Sequence, residues 1–203
     1  MKRKIILLFC CAIALLAGYN LISLDSSSLY SFNDKGELLR PMNYREWIFA
    51  GNISTPRDID PDALFPDTQF VYIDPESYQH WKKTGTFRDG TILVKEIAWS
   101  TKAKLPVGTG FVVDQYHSLS AAVKDSKRFP DTTGNWNYFK WSNPNQPDLS
   151  LTSPPLGKTC SGCHEKYAPD GGAFYNYETV LRDSKGSGNI GPENFPIRKG
   201  RLE

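Results

Sequence analysis

Residues 91–100, TILVKEIAWS, followed by residues 110–116, GFVVDQY, decide the fold. Both runs are rich in β-branched and aromatic residues, and a Gly/Pro-containing connection over 101–108 separates them. They read as two strands of a hairpin. Side chains alternate along a strand, so Leu93, Lys95 and Ile97 share one face, and Ile92, Val94, Glu96 and Ala98 share the other. Lys95 and Glu96 are neighbours, so whichever face is buried takes a charge with it. A buried charge is costly unless it is paired or used. Two readings stand open. One of the pair snorkels to water at a strand end, or one of them serves a functional site.

Outward from the hairpin the chain stays mixed. Residues 43–47, NYREW, suggest a short helix capped by Asn43. Strands are expected over 48–53, 69–73 and 135–141. Asp74-Pro75 opens a short amphipathic helix to Lys83, and Arg88-Asp89-Gly90 makes a turn. Leu119 to Lys127 reads as a helical turn or short helix. Loops fall at 55–65 and 143–155. Ala173 to Arg182 places Phe174, Tyr177, Val180 and Leu181 on one helical face. The expected class is mainly β (α+β), an antiparallel sheet with a few short helices. No internal repeat is visible.

Near the C-terminal end stands CSGCH, residues 160–164. Cys-x-x-Cys-His is the attachment signature of a c-type haem. One helical turn brings both thiols to the two porphyrin vinyls, and the next residue, His164, lies under the iron as an axial ligand. Cys-x-x-Cys alone also suits half a zinc site or a redox dithiol. A zinc site needs two more soft ligands. A dithiol of the thioredoxin type follows a strand, whereas this motif follows the Pro-rich loop 153–158. The haem-bearing helix is expected to start near Gly157.

Residues 1–18, MKRKIILLFCCAIALLAG, place a basic Lys2-Arg3-Lys4 start before an apolar run, an export signal ending at Gly18. An uncleaved anchor reaching about Ile22 is the alternative. Residues 19–31 read as a linker, 32–183 as the haem domain, and 184–203 as a disordered tail. Export implies a periplasmic location. It also removes Cys10 and Cys11, so Cys160 and Cys163 remain without a disulfide framework. Of 24 basic residues, three leave with the signal, and 21 then face 22 acidic ones. That balance carries no footprint for nucleic acid. The aromatic content of 13% suits the walls of a large flat cofactor or an all-β core.

No methionine follows His164, and the only one left after export is Met42. The sixth iron ligand is then Met42, His80, His117, a lysine, water or nothing. His80 sits on a polar helix face and Met42 in a loop, so an open distal position is expected. That favours ligand chemistry over simple electron carriage.

The stretches NYREW (43–47), VYIDPESYQHWKKTGTFRDGTILVKE (71–96), AAVKDSKRF (121–129), GNWNY (134–138) and CSGCH (160–164) together closely resemble the cytochrome P460 family. The resemblance spans nearly the whole mature domain. It implies a mainly antiparallel β fold, usually a homodimer, with one five-coordinate c-haem per subunit and the motif histidine proximal. It also implies a third covalent bond to the macrocycle from a lysine, here matched by Lys95. Family members oxidise hydroxylamine to nitrous or nitric oxide and pass electrons to a small soluble cytochrome c. The related cytochromes c-prime-beta lack the lysine bond and bind nitric oxide without that turnover. The candidate distal-pocket residues are Ser120, His117 and Phe111, with Glu96 as a supporting residue. One departure stands out. Well-known hydroxylamine oxidisers carry a distal carboxylate just before the segment matching AAVKDSKRF, where this chain has Ser120. His117, one helical turn earlier, is the substitute proton acceptor.

Overall fold

The computed structural model describes residues 29–65, 67–142 and 151–188. The expected export signal, most of the expected linker, residues 143–150 of the long loop and the expected tail from 189 lie outside them.

Strand β1 (Leu38–Leu39) is followed by a short 3-10 turn over Tyr44–Glu46, then β2 (Ile48–Ser54) and β3 (Thr68–Ile73). Helix α1 (Pro75–Thr84), β4 (Ile92–Leu105), β5 (Gly108–Lys124), β6 (Trp136–Ser142) and β7 (Thr152–Ser153) come next. Helices α2 (Lys158–Tyr167) and α3 (Thr179–Ser184) close the described chain. The main sheet has the order β2-β3-β4-β5-β6, every pair antiparallel, so each strand neighbours the next in sequence. β1 and β7 form a separate two-stranded pair. The expected class, mainly β with a few short helices, is what the chain builds.

The alternation in β4 is real, and each face has its own core. Ile92 and Val94 pack with Leu119, Ala121, Val123 and Phe139 on one side. Leu93 packs with Val71, Ile73, Trp81 and Tyr138 on the other. α1 starts where Asp74 caps it: the buried carboxylate accepts from Ser77 N at 2.9 Å and from Ile92 N at 3.0 Å. Pro75 at the first helical position needs no amide partner. α1 ends at Gly85, in the left-handed region at φ 72°. Fully buried Trp81 of α1 stacks on Phe87 at 4.3 Å and donates to Leu181 O at 2.8 Å, tying α1 to α3.

Several expectations need correction. Leu119 to Lys124 is strand, not helix. Leu119, Ala121 and Val123 are buried on alternate positions opposite Glu96, Val94 and Ile92, and packing overrides the helix preference of alanine. The helical turn falls later, where Phe129 N bonds Asp125 O. The connection 101–108 shrinks to Pro106-Val107, because both strands run on to Leu105 and Gly108. β3 covers β4 only to Ala98 and β6 covers β5 only to Ser118, so the rest projects as a two-stranded arm. Gly110 to Tyr116 is strand as expected, whereas residues 101–105, with water on both faces, had no apolar alternation to read. Of the expected helix 173–182 only Thr179 onward is helical. Asn43 caps its turn by its left-handed backbone (φ 55°), with no side-chain cap bond. Residues 184–188, expected as tail, are built into the fold: Gly186 N bonds Trp81 O and Gly188 N bonds Lys82 O.

Candidate haem site

Helix α2 carries the motif. Cys163 and His164 lie three and four residues after Cys160, so each is one helical turn from it. Both thiols are free, Cys160 half-buried and Cys163 exposed. No residue of α2 is fully buried. Its sequence, KTCSGCHEKY, has no apolar stripe of its own, so packing alone holds it weakly.

His164 fixes it. The ring lies 4.1 Å from Tyr138 of β6 and 4.7 Å from Phe174. Its Nδ1 is 2.6 Å from Gly172 O. A carbonyl only accepts, so Nδ1 carries the proton and Nε2 is left as the free lone pair, the form a metal requires. Burial lowers the imidazole pKa, and the Gly172 bond opposes that. The Tyr138 hydroxyl donates to the same carbonyl at 2.8 Å. Gly172 has no room for a side chain: a Cβ there would stand 2.1 Å from Trp136 Nε1.

The sheet supplies the floor. Val71, Lys95, Ser120 and Lys140 are successive cross-strand partners from β3 to β6, so their side chains rise on one face. This is the face of Leu93, against which Cys160 packs. Lys95 Nζ donates to Gln69 Oε1 at 3.3 Å and lies 4.0 Å over the Phe65 ring. Burial pushes its pKa down to about 8, against the pull of Glu178 and of the Cys160 and Cys163 thiols. A lysine with depressed pKa is partly neutral near physiological pH, the form that makes bonds through nitrogen. The same field acts in reverse on Cys160, whose pKa burial raises while Lys95 and Lys140 lower it.

The structure thus brings Cys160, Cys163, His164, Lys95 and Ser120 to one face. Glu96 is not among them. It points into the opposite core, 1% exposed, where it accepts from the Tyr44 hydroxyl and from Arg45 Nε. Glu96 is buried and paired, while Lys95 is half-buried on the face of the attachment cysteines. Phe111 also stands apart. It pairs with Lys102 on the projecting arm and is 40% exposed. His117 is the extra residue of a bulge, between the pairs Ile97–Ser118 and Ala98–Tyr116. Its ring packs edge-on to Trp99 at 5.3 Å and its Nδ1 is 3.1 Å from Ser118 Oγ. Burial lowers its pKa, with Lys140 and Arg57 adding to the effect. Met42 is 65% exposed in a loop beside Tyr44, and His80 lies beside Thr86.

One group escaped the sequence reading. Glu178 is 5% exposed, and its Oε2 has no hydrogen-bond partner. Burial raises its pKa to about 7, against the pull of Lys95. In the sequence it is an ordinary acid at the start of a helix, where acids are common, so no signal marked it.

These residues fit a covalently held haem. Two free thiols stand at attachment spacing, an imidazole has its outer nitrogen committed, and an amine and an orphaned carboxylate oxygen lie on the same side. Among the described residues no cluster of three or more His, Cys, Asp or Glu side chains offers a site for a bare metal ion, so a zinc reading lacks its further donors.

A family model, Cytochrome P460, matches residues 41–174. No curated protein matches the chain. The matched segment runs from the turn before Tyr44 to Phe174 beside the His164 ring, and so includes the sheet, Lys95 and the attachment helix. The chain belongs to the cytochrome P460 family and is a c-type haem protein of that family.

Proposed function

We propose that this protein is an exported, periplasmic hydroxylamine oxidoreductase. It carries one haem, joined by thioethers to Cys160 and Cys163, with His164 as proximal ligand and Lys95 making a third bond to the macrocycle. The bound haem supplies an iron that takes the substrate and relays its electrons, and a soluble c-type cytochrome accepts them. Two copies form a homodimer. The observation that carries this reading is Lys95, whose half-buried, acidified amine shares the sheet face of the attachment cysteines.

The residues divide the work. Gly172 holds the His164 ring and its tautomer. Gln69 and Phe65 hold the Lys95 amine in place. Ser120, beside Lys95, relays protons but is no base at neutral pH. The test is anaerobic reduction of an artificial acceptor by hydroxylamine, with nitrous oxide measured in the headspace. Acceptor reduction by the wild type and none by Lys95→Ala supports the reading. Tight ligand binding without any acceptor reduction refutes it.

A second reading has support in Ser120. Without a carboxylate at that position the protein binds nitric oxide or another small ligand, as cytochromes c-prime-beta do, with little turnover.

A further inference from the structure

The five-stranded sheet carries α2 over β6 at one side and α3 over β2 at the other. Adjacent strands lie about 4.8 Å apart, so His164 on α2 and Glu178 at the start of α3 stand over opposite margins. Lys95, on the central strand β4, lies between them.

Glu178 is placed there at a cost. Gly51 of β2 lies beneath it, and a Cβ at Gly51 would come within 2.7 Å of Glu178 Oε2 and 2.9 Å of Thr179 N. β2 also breaks its register between Phe49 and Gly51. The strand gives up a side chain and its regular pairing so that the carboxylate can lie against the sheet. Yet Oε2 receives no hydrogen bond. A second oxygen, Asn176 Oδ1 two residues earlier in the chain, is also buried without a partner. An unsatisfied buried carboxylate is destabilising, and native proteins keep few such groups without a use.

The charged group acting on Glu178 is Lys95. Arg182 and Asp183 of its own helix pair with each other. Under the function proposed above, on which this inference rests, Lys95 is spent on the bond to the macrocycle. Glu178 then loses its cation and keeps its burial.

We propose that Glu178 is the proton acceptor of the pocket and takes over the task that Ser120 cannot perform. As hydroxylamine is oxidised, an N–H or O–H bond of the substrate breaks and a carboxyl O–H bond forms on Glu178. The electron pair of the broken bond stays with the substrate and leaves, one electron at a time, through the haem to the soluble cytochrome. The proton passes on to solvent. Burial holds the Glu178 carboxyl well above the usual carboxylate range, so a proton passed to it is held firmly enough to be taken from substrate near neutral pH.

The test uses the full-length holoprotein as wild type, Glu178→Gln and Glu178→Asp. The probe is carbon monoxide on the reduced protein, whose C–O stretching frequency reads the charge facing the ligand. The wild-type frequency should shift with pH, with a midpoint above 7 because the Lys95 charge that lowers the Glu178 pKa is gone. Glu178→Gln should abolish the shift, and Glu178→Asp should keep it with a displaced midpoint. Hydroxylamine oxidation should fall by about a hundred-fold or more in Glu178→Gln, with the visible spectrum retained. A frequency and pH dependence in Glu178→Gln equal to wild type overturns the assignment, whatever the activity. If the shift is lost in Glu178→Gln but wild type never oxidises hydroxylamine, the oxidase reading fails. The proton-acceptor role falls with it, while the carboxylate still faces the ligand.

Discussion

The Nδ1 of His164 donates to the carbonyl oxygen of Gly172 at 2.6 Å, and that carbonyl is also where the Tyr138 hydroxyl ends. The attachment helix has no buried residue of its own, so this shared acceptor sets where the imidazole points. Gly172→Ala should displace it, because the added carbon would meet Trp136 at 2.1 Å. The ferric electron paramagnetic resonance signal should broaden or split, and stability should fall by about 1–3 kcal/mol from overpacking. A signal identical to wild type would mean that the carbonyl does not orient the ligand.

Glu96 belongs to the core behind the sheet. Its carboxylate is buried against Tyr44 and Arg45. Glu96→Gln leaves the Tyr44 hydroxyl and the half-exposed Arg45 without their charged acceptor and should cost about 1 kcal/mol in denaturant unfolding. The haem spectrum and ligand binding should be unchanged. A changed spectrum would return Glu96 to the haem face.

Stability should depend on pH through Glu178. Burial raises its pKa from 4.5 to about 7, so the folded chain holds this proton more tightly than the unfolded one. Its contribution is full below about pH 4.5 and is lost as pH rises through 7, a change of about 3 kcal/mol in order of magnitude. Glu178→Gln removes the loss. Its Tm should exceed the wild-type value at pH 8 and lose that advantage at pH 4. Parallel Tm–pH curves would contradict the burial.

Ser120 shares its cross-strand row with Lys95. Ser120→Glu puts a carboxylate where the resemblance to hydroxylamine oxidisers implies one. Turnover in the anaerobic acceptor assay should rise by about tenfold or more, within the range one positioned base supplies. Unchanged turnover would show that proton transfer does not limit the wild type.

Much of this was legible in residues 91–100, because strand periodicity assigns side chains to faces without knowledge of the partner strands. Lys95 and Glu96 were therefore separable from sequence, but which face met Cys160 was not. That depends on where α2 returns, more than fifty residues later. Gly110 to Tyr116 was read as strand and is one, but residues 101–105 and the strand from Leu119 to Lys124 were misread for opposite reasons. Residues 101–105 are solvated on both faces and show no pattern, while Ala121 and Ala122 carry a helix preference that packing overrides. Phe111, expected in the distal pocket, is instead carried out along the arm by β5, where it pairs with Lys102. Glu178 left no mark because its burial arises from Gly51, on a strand distant in sequence.

The central claim is the bond between Lys95 and the macrocycle, and the visible spectrum of the reduced holoprotein tests it most directly. The wild type should show a strongly red-shifted Soret band with ill-defined α and β bands. Lys95→Ala, still carrying haem on Cys160 and Cys163 by mass spectrometry, should show the ordinary sharp bands of a c-type cytochrome. Sharp c-type bands in the wild type, or the same spectrum in both proteins, would contradict the account.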